Sequence, residues 1–201
     1  MVLAKALMIQ GTSSHSGKSI LVAALCRIFS DWGVKVAPFK SQNMSLNSYV
    51  TDAGEEVARA QAFQAFAARV PLTADMNPIL LKPKGDMKSQ IVFHGKPFSD
   101  VSARDYWRDF ASVIGLQGVK ESFERLSRKY ELIIIEGAGS PAEVNLYDFD
   151  IANMRVADFS DAPVLLVADI DRGGAFASIV GTMALLKPEH RARVHGFILN
   201  K

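Results

Sequence analysis

The nonapeptide Gly11-Thr12-Ser13-Ser14-His15-Ser16-Gly17-Lys18-Ser19 leaves the chain few folds to choose from. It follows the apolar run Ala6-Leu7-Met8-Ile9 and precedes Ile20, Leu21, Ala24, Leu25, Ile28 and Phe29, which recur at helical spacing until Gly33. A glycine- and hydroxyl-rich turn joining a strand to a helix is the place for a phosphate-binding loop. Its backbone N–H groups and the positive end of the helix can hold phosphate oxygens. Lys18 can reach the outer phosphates, and the Ser19 hydroxyl can ligate magnesium. The usual loop has four residues between its first glycine and Gly-Lys, whereas five intervene here, Thr12 to Ser16.

The remaining pattern extends the same architecture. Val34-Lys35-Val36-Ala37 reads as a second strand, Ser41 to Tyr49 as a polar loop, and Glu55 to Arg69, rich in Ala, Gln and Arg, as a helix. Asn77 to Lys88, with two prolines and a glycine, reads as a loop, and Gln90 to Phe93 as a short strand. Tyr106, Trp107, Phe110, Val113 and Ile114, with Phe123 and Leu126, form a helical face broken around Gly115 and Gly118. Leu132 to Ile135, Pro163 to Ala168 and Val194 to Leu199 are continuous branched-aliphatic runs, the pattern of strands buried on both faces. The expected fold is α/β, a mainly parallel sheet with helices on both faces, of P-loop NTPase type. A length of 201 residues suits one domain.

Composition narrows the partners. Twenty-three Lys and Arg against 21 Asp and Glu leave a net charge of +2, too weak a field to gather nucleic acid or an anionic membrane surface. No apolar run approaches the roughly 18 residues of a membrane span. Met1 to Gln10 is too short and interrupted for a signal peptide, so the cytoplasm is the expected location. The single cysteine, Cys26, excludes an internal disulfide framework and, with four scattered histidines, a structural zinc site of the usual type. It falls in the apolar helix after the loop, where it packs as a small hydrophobe.

Glu136 ends the run Leu132 to Ile135 and is followed by Gly137-Ala138-Gly139. An acid at the carboxyl end of a buried strand lies where open α/β sheets bind ligands, and there it can hold magnesium directly or through water. Replacing it by Gln is expected to leave stability within about 1 kcal/mol. Glu56, and with less reason Asp52, are further magnesium candidates near the start of the helix after the second strand, where a solvated helix face accounts for them equally well.

Several segments together resemble the ATP-binding domain of the cobyric acid synthase family over essentially the whole chain. They are GTSSHSGKS, Pro38 to Asn47 (PFKSQNMSLN), Arg59-Ala60-Gln61-Ala62, Glu136 to Glu143 (EGAGSPAE) and Asp169 to Gly174 (DIDRGG). The five-residue loop is similar to that of dethiobiotin synthetase and cobyrinic acid a,c-diamide synthase, relatives with the same domain. The resemblance implies amidation of peripheral carboxylates of adenosylcobyrinic acid a,c-diamide to give adenosylcobyric acid, through an acyl phosphate, with ATP and Mg2+ as cofactors.

On that resemblance, Gly11, Thr12, Ser13, Ser14, His15, Ser16, Gly17, Lys18 and Ser19 hold ATP, and Lys18 and Lys40 are catalytic. Ser19, Glu136 and Glu56 hold magnesium. Asn200 is a candidate adenine contact, although an Asn ending a strand is as often a turn residue. Asn43, Ser45, Asn47, Asp171 and Arg172 are candidates for the corrinoid; turn chemistry also explains the Asn/Ser loop, and an internal Asp–Arg pair the DIDRGG segment. Family members carry a second, glutaminase domain with a nucleophilic cysteine, a role Cys26 cannot fill. Residues 1–201 are thus expected to be the synthetase domain, with ammonia coming from a glutaminase domain absent from this sequence. A homo-oligomer stays open. So do two alternatives: a dethiobiotin or a,c-diamide synthase relative, and a partition-type ATPase switch. Such switches carry a lysine four positions before the glycine of Gly-Lys, where this chain has Ser13.

Overall fold

The computed structural model describes residues 4–85, 88–102 and 105–201. Strand β1 (Lys5–Gly11) leads through the loop into helix α1 (Lys18–Asp31) and β2 (Val36–Phe39). An excursion follows: β3 (Gln42–Met44), β4 (Ser48–Val50), β5 (Glu56–Ala58), α2 (Arg59–Ala68), β6 (Ile79–Pro83), β7 (Lys88–Phe93) and β8 (Lys96–Ser102). A π-helical segment, Tyr106–Gly115, runs into α3 (Leu116–Ser127). The chain then returns through β9 (Leu132–Glu136), α4 (Met154–Phe159), β10 (Val164–Asp169), α5 (Ala175–Leu185), the short α6 (Pro188–Arg191) and β11 (Val194–Asn200).

The central sheet has the order β11-β10-β1-β9-β2, and every neighbouring pair is parallel. Alternation along the strands sorts the apolar residues onto two faces. Ile9, Val36, Ile134 and Val167 pack with Val22 and Cys26 of α1, while Met8, Ala37, Ile133, Ile135 and Val164 pack with Phe123 and Leu126 of α3 and with Met154 and Val156 of α4. This two-sided cover is why β9 reads as an unbroken apolar run, and each of its buried isoleucines contributes roughly 1.5–3 kcal/mol. Connections leave β1 toward β2 and leave β10 in the opposite direction toward β11, so a crevice opens beside β1 at the carboxyl ends of the strands. Among the described residues no helix is long and apolar enough to cross a membrane.

The excursion after β2 differs from the expectation. The polar segment Ser41 to Tyr49 contains β3 and β4; β3 pairs in parallel with β6, Gln42 opposite Ile79, and joins the second sheet, β3-β6-β7-β8. The expected loop at Asn77 to Lys88 contains β6, whose Ile79 and Leu80 are fully buried between Pro78 and Pro83. Part of that segment, like the start of Met1 to Gln10, lies outside the described residues. Glu56 to Ala58 is extended rather than helical: Val50 pairs with Glu56 in an antiparallel ladder, and α2 begins only at Arg59. Three-residue strands show no period, so only their partners reveal them.

Candidate active site

Two glycines shape the loop. A Cβ on Gly11 would come within 2.8 Å of Lys18 Nζ and 2.9 Å of the Ser13 carbonyl oxygen. Gly17 has φ 98°, in the left-handed region, and a Cβ there would run into Asn200 Nδ2. Asn200 ends β11 and donates from Nδ2 to the Ser16 carbonyl oxygen at 2.9 Å, bracing the loop. Gly17 caps α1 with no side-chain hydrogen bond, so the first-turn N–H groups lack intrahelical partners. The Ser16 hydroxyl, fully buried, also has no partner among the described residues.

A cleft of about 870 Å³ opens at this loop, lined by Ser14, His15, Lys18, Lys40, Asn43 and Glu136, with Trp107 and Tyr147 on its walls. Lys18 donates to the carbonyl oxygens of Ser13 (2.9 Å) and Gly139 (3.0 Å), which ties the loop to the turn after β9. Its pKa is lowered to about 8, chiefly by burial and next by the charge of Lys40, against the opposing pull of Glu136. At the end of β9, Glu136 is only 2% exposed. Its Oε1 accepts from Ser19 Oγ at 2.8 Å and from Lys40 Nζ at 2.6 Å, while its Oε2 accepts from Gln64 Nε2 at 2.5 Å. The turn 137–139 is held by Asn153, which accepts from Ala138 N and donates to Ala138 O.

The donor set fits magnesium. Ser19 Oγ and Glu136 Oε1 are hard oxygens 2.8 Å apart, close to the edge of about 2.9 Å of an octahedron with metal–oxygen bonds of 2.0–2.1 Å. The Lys40 ammonium on the same oxygen shows that positive charge is accommodated there. Among the described residues no three His, Cys, Asp or Glu side chains are grouped to hold a metal.

The structure thus brings together Lys18, Ser19, Lys40, Glu136 and Asn43. Glu56 is not at the cleft: on β5 rather than a helix, its carboxylate pairs with Lys82 of β6 at 2.5 Å; burial pushes its carboxyl up, but Lys82 together with Ser48 holds it below the usual range. Asp52 is exposed on the turn between β4 and β5. Ser45 and Asn47 also lie outside the cleft lining and bond each other, with the Ser45 hydroxyl accepting from Asn47 N at 3.0 Å. Asp171 and Arg172 are exposed beyond β10, and Arg172 reaches back to buried Asp169 at 3.5 Å. Asn200 has its amide on the loop backbone rather than on the cleft surface. Gln64 was missed because Gln in an Ala-rich helix signals helix propensity and solvent; a buried polar residue shows itself only once the helix has a neighbour.

Residues 7–201 match the family described as the CobQ/CobB/MinD/ParA nucleotide binding domain. The cobyric acid synthase of Desulforamulus reducens is 59% identical over 100% of the chain, and the probable cobyric acid synthase of Thermococcus kodakarensis is 58% identical over 99% of it. The chain spans only 39% and 41% of the length of these two proteins. Among solved structures, the signal recognition particle receptor FtsY of Elizabethkingia anophelis aligns with a TM-score of 0.55, over 97% of this chain and 49% of that one. At 20% identity that likeness speaks for the P-loop NTPase fold alone. With a phosphate loop at the end of β1 and a family match from its first strand to its last, the chain belongs to the CobQ/CobB/MinD/ParA nucleotide binding domain family.

Proposed function

We propose that residues 1–201 form an ATP-dependent synthetase domain that amidates peripheral carboxylates of adenosylcobyrinic acid a,c-diamide to give adenosylcobyric acid. Ammonia reaches it from a glutaminase domain outside this chain. The observation that carries this reading is the convergence of Lys18, Ser19, Lys40 and Glu136 on one cleft. Relatives named cobyric acid synthase, at 58–59% identity, supply the substrate class.

A carboxylate resists ammonia because it is anionic and has no good leaving group. In the proposed reaction a corrinoid carboxylate oxygen attacks the γ-phosphorus of ATP, the bond to the β-phosphate oxygen breaks, and ADP leaves. Ammonia then attacks the acyl carbon, the carbon–oxygen bond to phosphate breaks, and inorganic phosphate leaves as nitrogen sheds a proton. Lys18 has three N–H groups and spends two on carbonyls, so one remains for a phosphate oxygen. Lys40, anchored on Glu136, is placed to neutralise charge between phosphate and acceptor. Ser19 and Glu136 would hold magnesium, which would supply further neutralisation of the phosphoryl oxygens. Asn43, on the cleft wall beside Gln42, is able to meet a corrinoid side arm.

The test is incubation with Mg-ATP, the a,c-diamide corrinoid and either labelled ammonium chloride or labelled glutamine, followed by mass analysis. Label should enter the corrinoid from ammonium and not from glutamine. Label entering from glutamine and lost in Cys26→Ala would contradict the reading, as would ATP turnover indifferent to the corrinoid.

A further inference from the structure

The buried face of α2 carries two glutamines among alanines, and both are fully buried. A buried amide is costly unless it is bonded, and these two are bonded in one direction. Asn43 Nδ2 donates to Gln61 Oε1 at 2.8 Å, and Gln61 Nε2 donates to Gln64 Oε1 at 3.3 Å. Gln64 Nε2 donates to Glu136 Oε2 at 2.5 Å, with a second acceptor, the Ser19 carbonyl oxygen, at 3.3 Å. Gln61 Nε2 also lies 3.5 Å from Glu136 Oε2. The chain of amides runs from the cleft wall to the carboxylate, with an N–H pointing forward at every link.

This divides the two oxygens of Glu136. Oε2 is filled by amide donors from α2, while Oε1 alone faces Ser19 and Lys40. The last torsion of a glutamate is broad, so nothing in the residue itself would keep this division. We infer that Gln64 is a positioning residue: it fixes the Glu136 carboxylate so that Oε1 is presented to Ser19, Lys40 and the magnesium ion. Gln61 and Asn43 hold the Gln64 amide with its nitrogen toward Glu136. The inference rests on Glu136 serving magnesium and goes beyond it by assigning the residues that aim it. A glutamate at position 64 would not serve, because it would set a second anion against Glu136.

The test is calorimetric titration of the whole chain with a non-hydrolysable ATP analogue, once in magnesium and once in EDTA. The ratio of the two affinities measures how far the metal assists nucleotide binding. Gln64→Met keeps the length of the side chain and removes its donor. It should cut that ratio about tenfold or more, as removal of an outer-shell partner of a metal ligand does, while affinity in EDTA stays within about twofold because Lys18 and the N–H groups of the loop keep their places and only the long 3.3 Å contact to the Ser19 carbonyl oxygen is lost with the amide. A merely structural role would lower both affinities together. Should Gln64→Met fail to fold, Gln61→Met, which frees the Gln64 amide without stranding the carboxylate, is expected to lower the ratio about threefold or more. An unchanged ratio in a folded variant overturns the inference and leaves the magnesium reading intact. A wild-type chain whose affinity is indifferent to magnesium overturns both.

Discussion

Replacement of Glu136 by Gln tests how the centre is held. The side chain is 2% exposed, and its partner Lys40 has a side chain only 10% exposed, 2.6 Å away. Removing the charge leaves a buried ammonium without its counter-ion, and breaking such a pair typically costs 3–5 kcal/mol. The amide cannot adapt, because donors face both oxygens: Ser19 Oγ and Lys40 Nζ at Oε1, Gln64 Nε2 at Oε2. Whichever way it lies, its NH2 points at another donor. At roughly 2–4 °C per kcal/mol for a chain of this size, Tm should fall by about 6–20 °C. Urea denaturation should show the loss as a lower midpoint with unchanged slope. The double variant Lys40→Met, Glu136→Gln should recover about 2 kcal/mol or more of it, since both ends of the pair are then gone. This departs from the expectation of about 1 kcal/mol drawn from position alone. A single variant that loses no more than about 1 kcal/mol, or a double variant whose losses simply add, would refute the reasoning.

Further outcomes follow from the same geometry. Lys18, with a pKa of about 8, is charged below that value and loses its proton above it. Mg-ATP affinity should therefore fall about tenfold between pH 7 and pH 9, and Lys18→Ala, which loses roughly 1.5–3 kcal/mol of charge-assisted bonding, should flatten the profile. Equal slopes in the two proteins would count against Lys18 meeting phosphate. Gly17→Ala would place a Cβ at φ 98° against Asn200; a cost of about 1–2 kcal/mol from the backbone alone, with weakened nucleotide binding, is expected by denaturation and titration. The Cys26 thiol, pushed up to about 12 by burial, should resist iodoacetamide at pH 8 in the folded chain and react in urea, as mass analysis would report.

Much of this was legible in the sequence because it is local. Gly11 to Ser19 is one contiguous segment, and Glu136 is marked by the apolar run it ends. Lys40, one residue beyond β2, was singled out only by the family resemblance. What was not legible depends on pairings between distant residues. Asn200 meets Ser16 across 184 positions, and Gln64 meets Glu136 across 72, so neither is announced by its neighbours. Glu56 reads as a site acid until β5 and β6 bring it to Lys82, across 26 positions. Of the second sheet only Gln90 to Phe93 was legible as a strand; β6 lies among prolines in a segment that reads as a loop, and β3, paired with Ile79 to Leu81, has three residues and no period.

The central claim is that the cleft activates a carboxylate by phosphorylating it, and the fate of the carboxylate oxygen decides it. A corrinoid with 18O in its reacting carboxylates would be incubated with this chain, Mg-ATP and ammonium, and the inorganic phosphate analysed by mass. One 18O should pass into phosphate for each amide formed, because the carboxylate oxygen that attacks phosphorus leaves with it. Amide formation accompanied by unlabelled phosphate would contradict the account, and so would the absence of any amide with ammonium in excess.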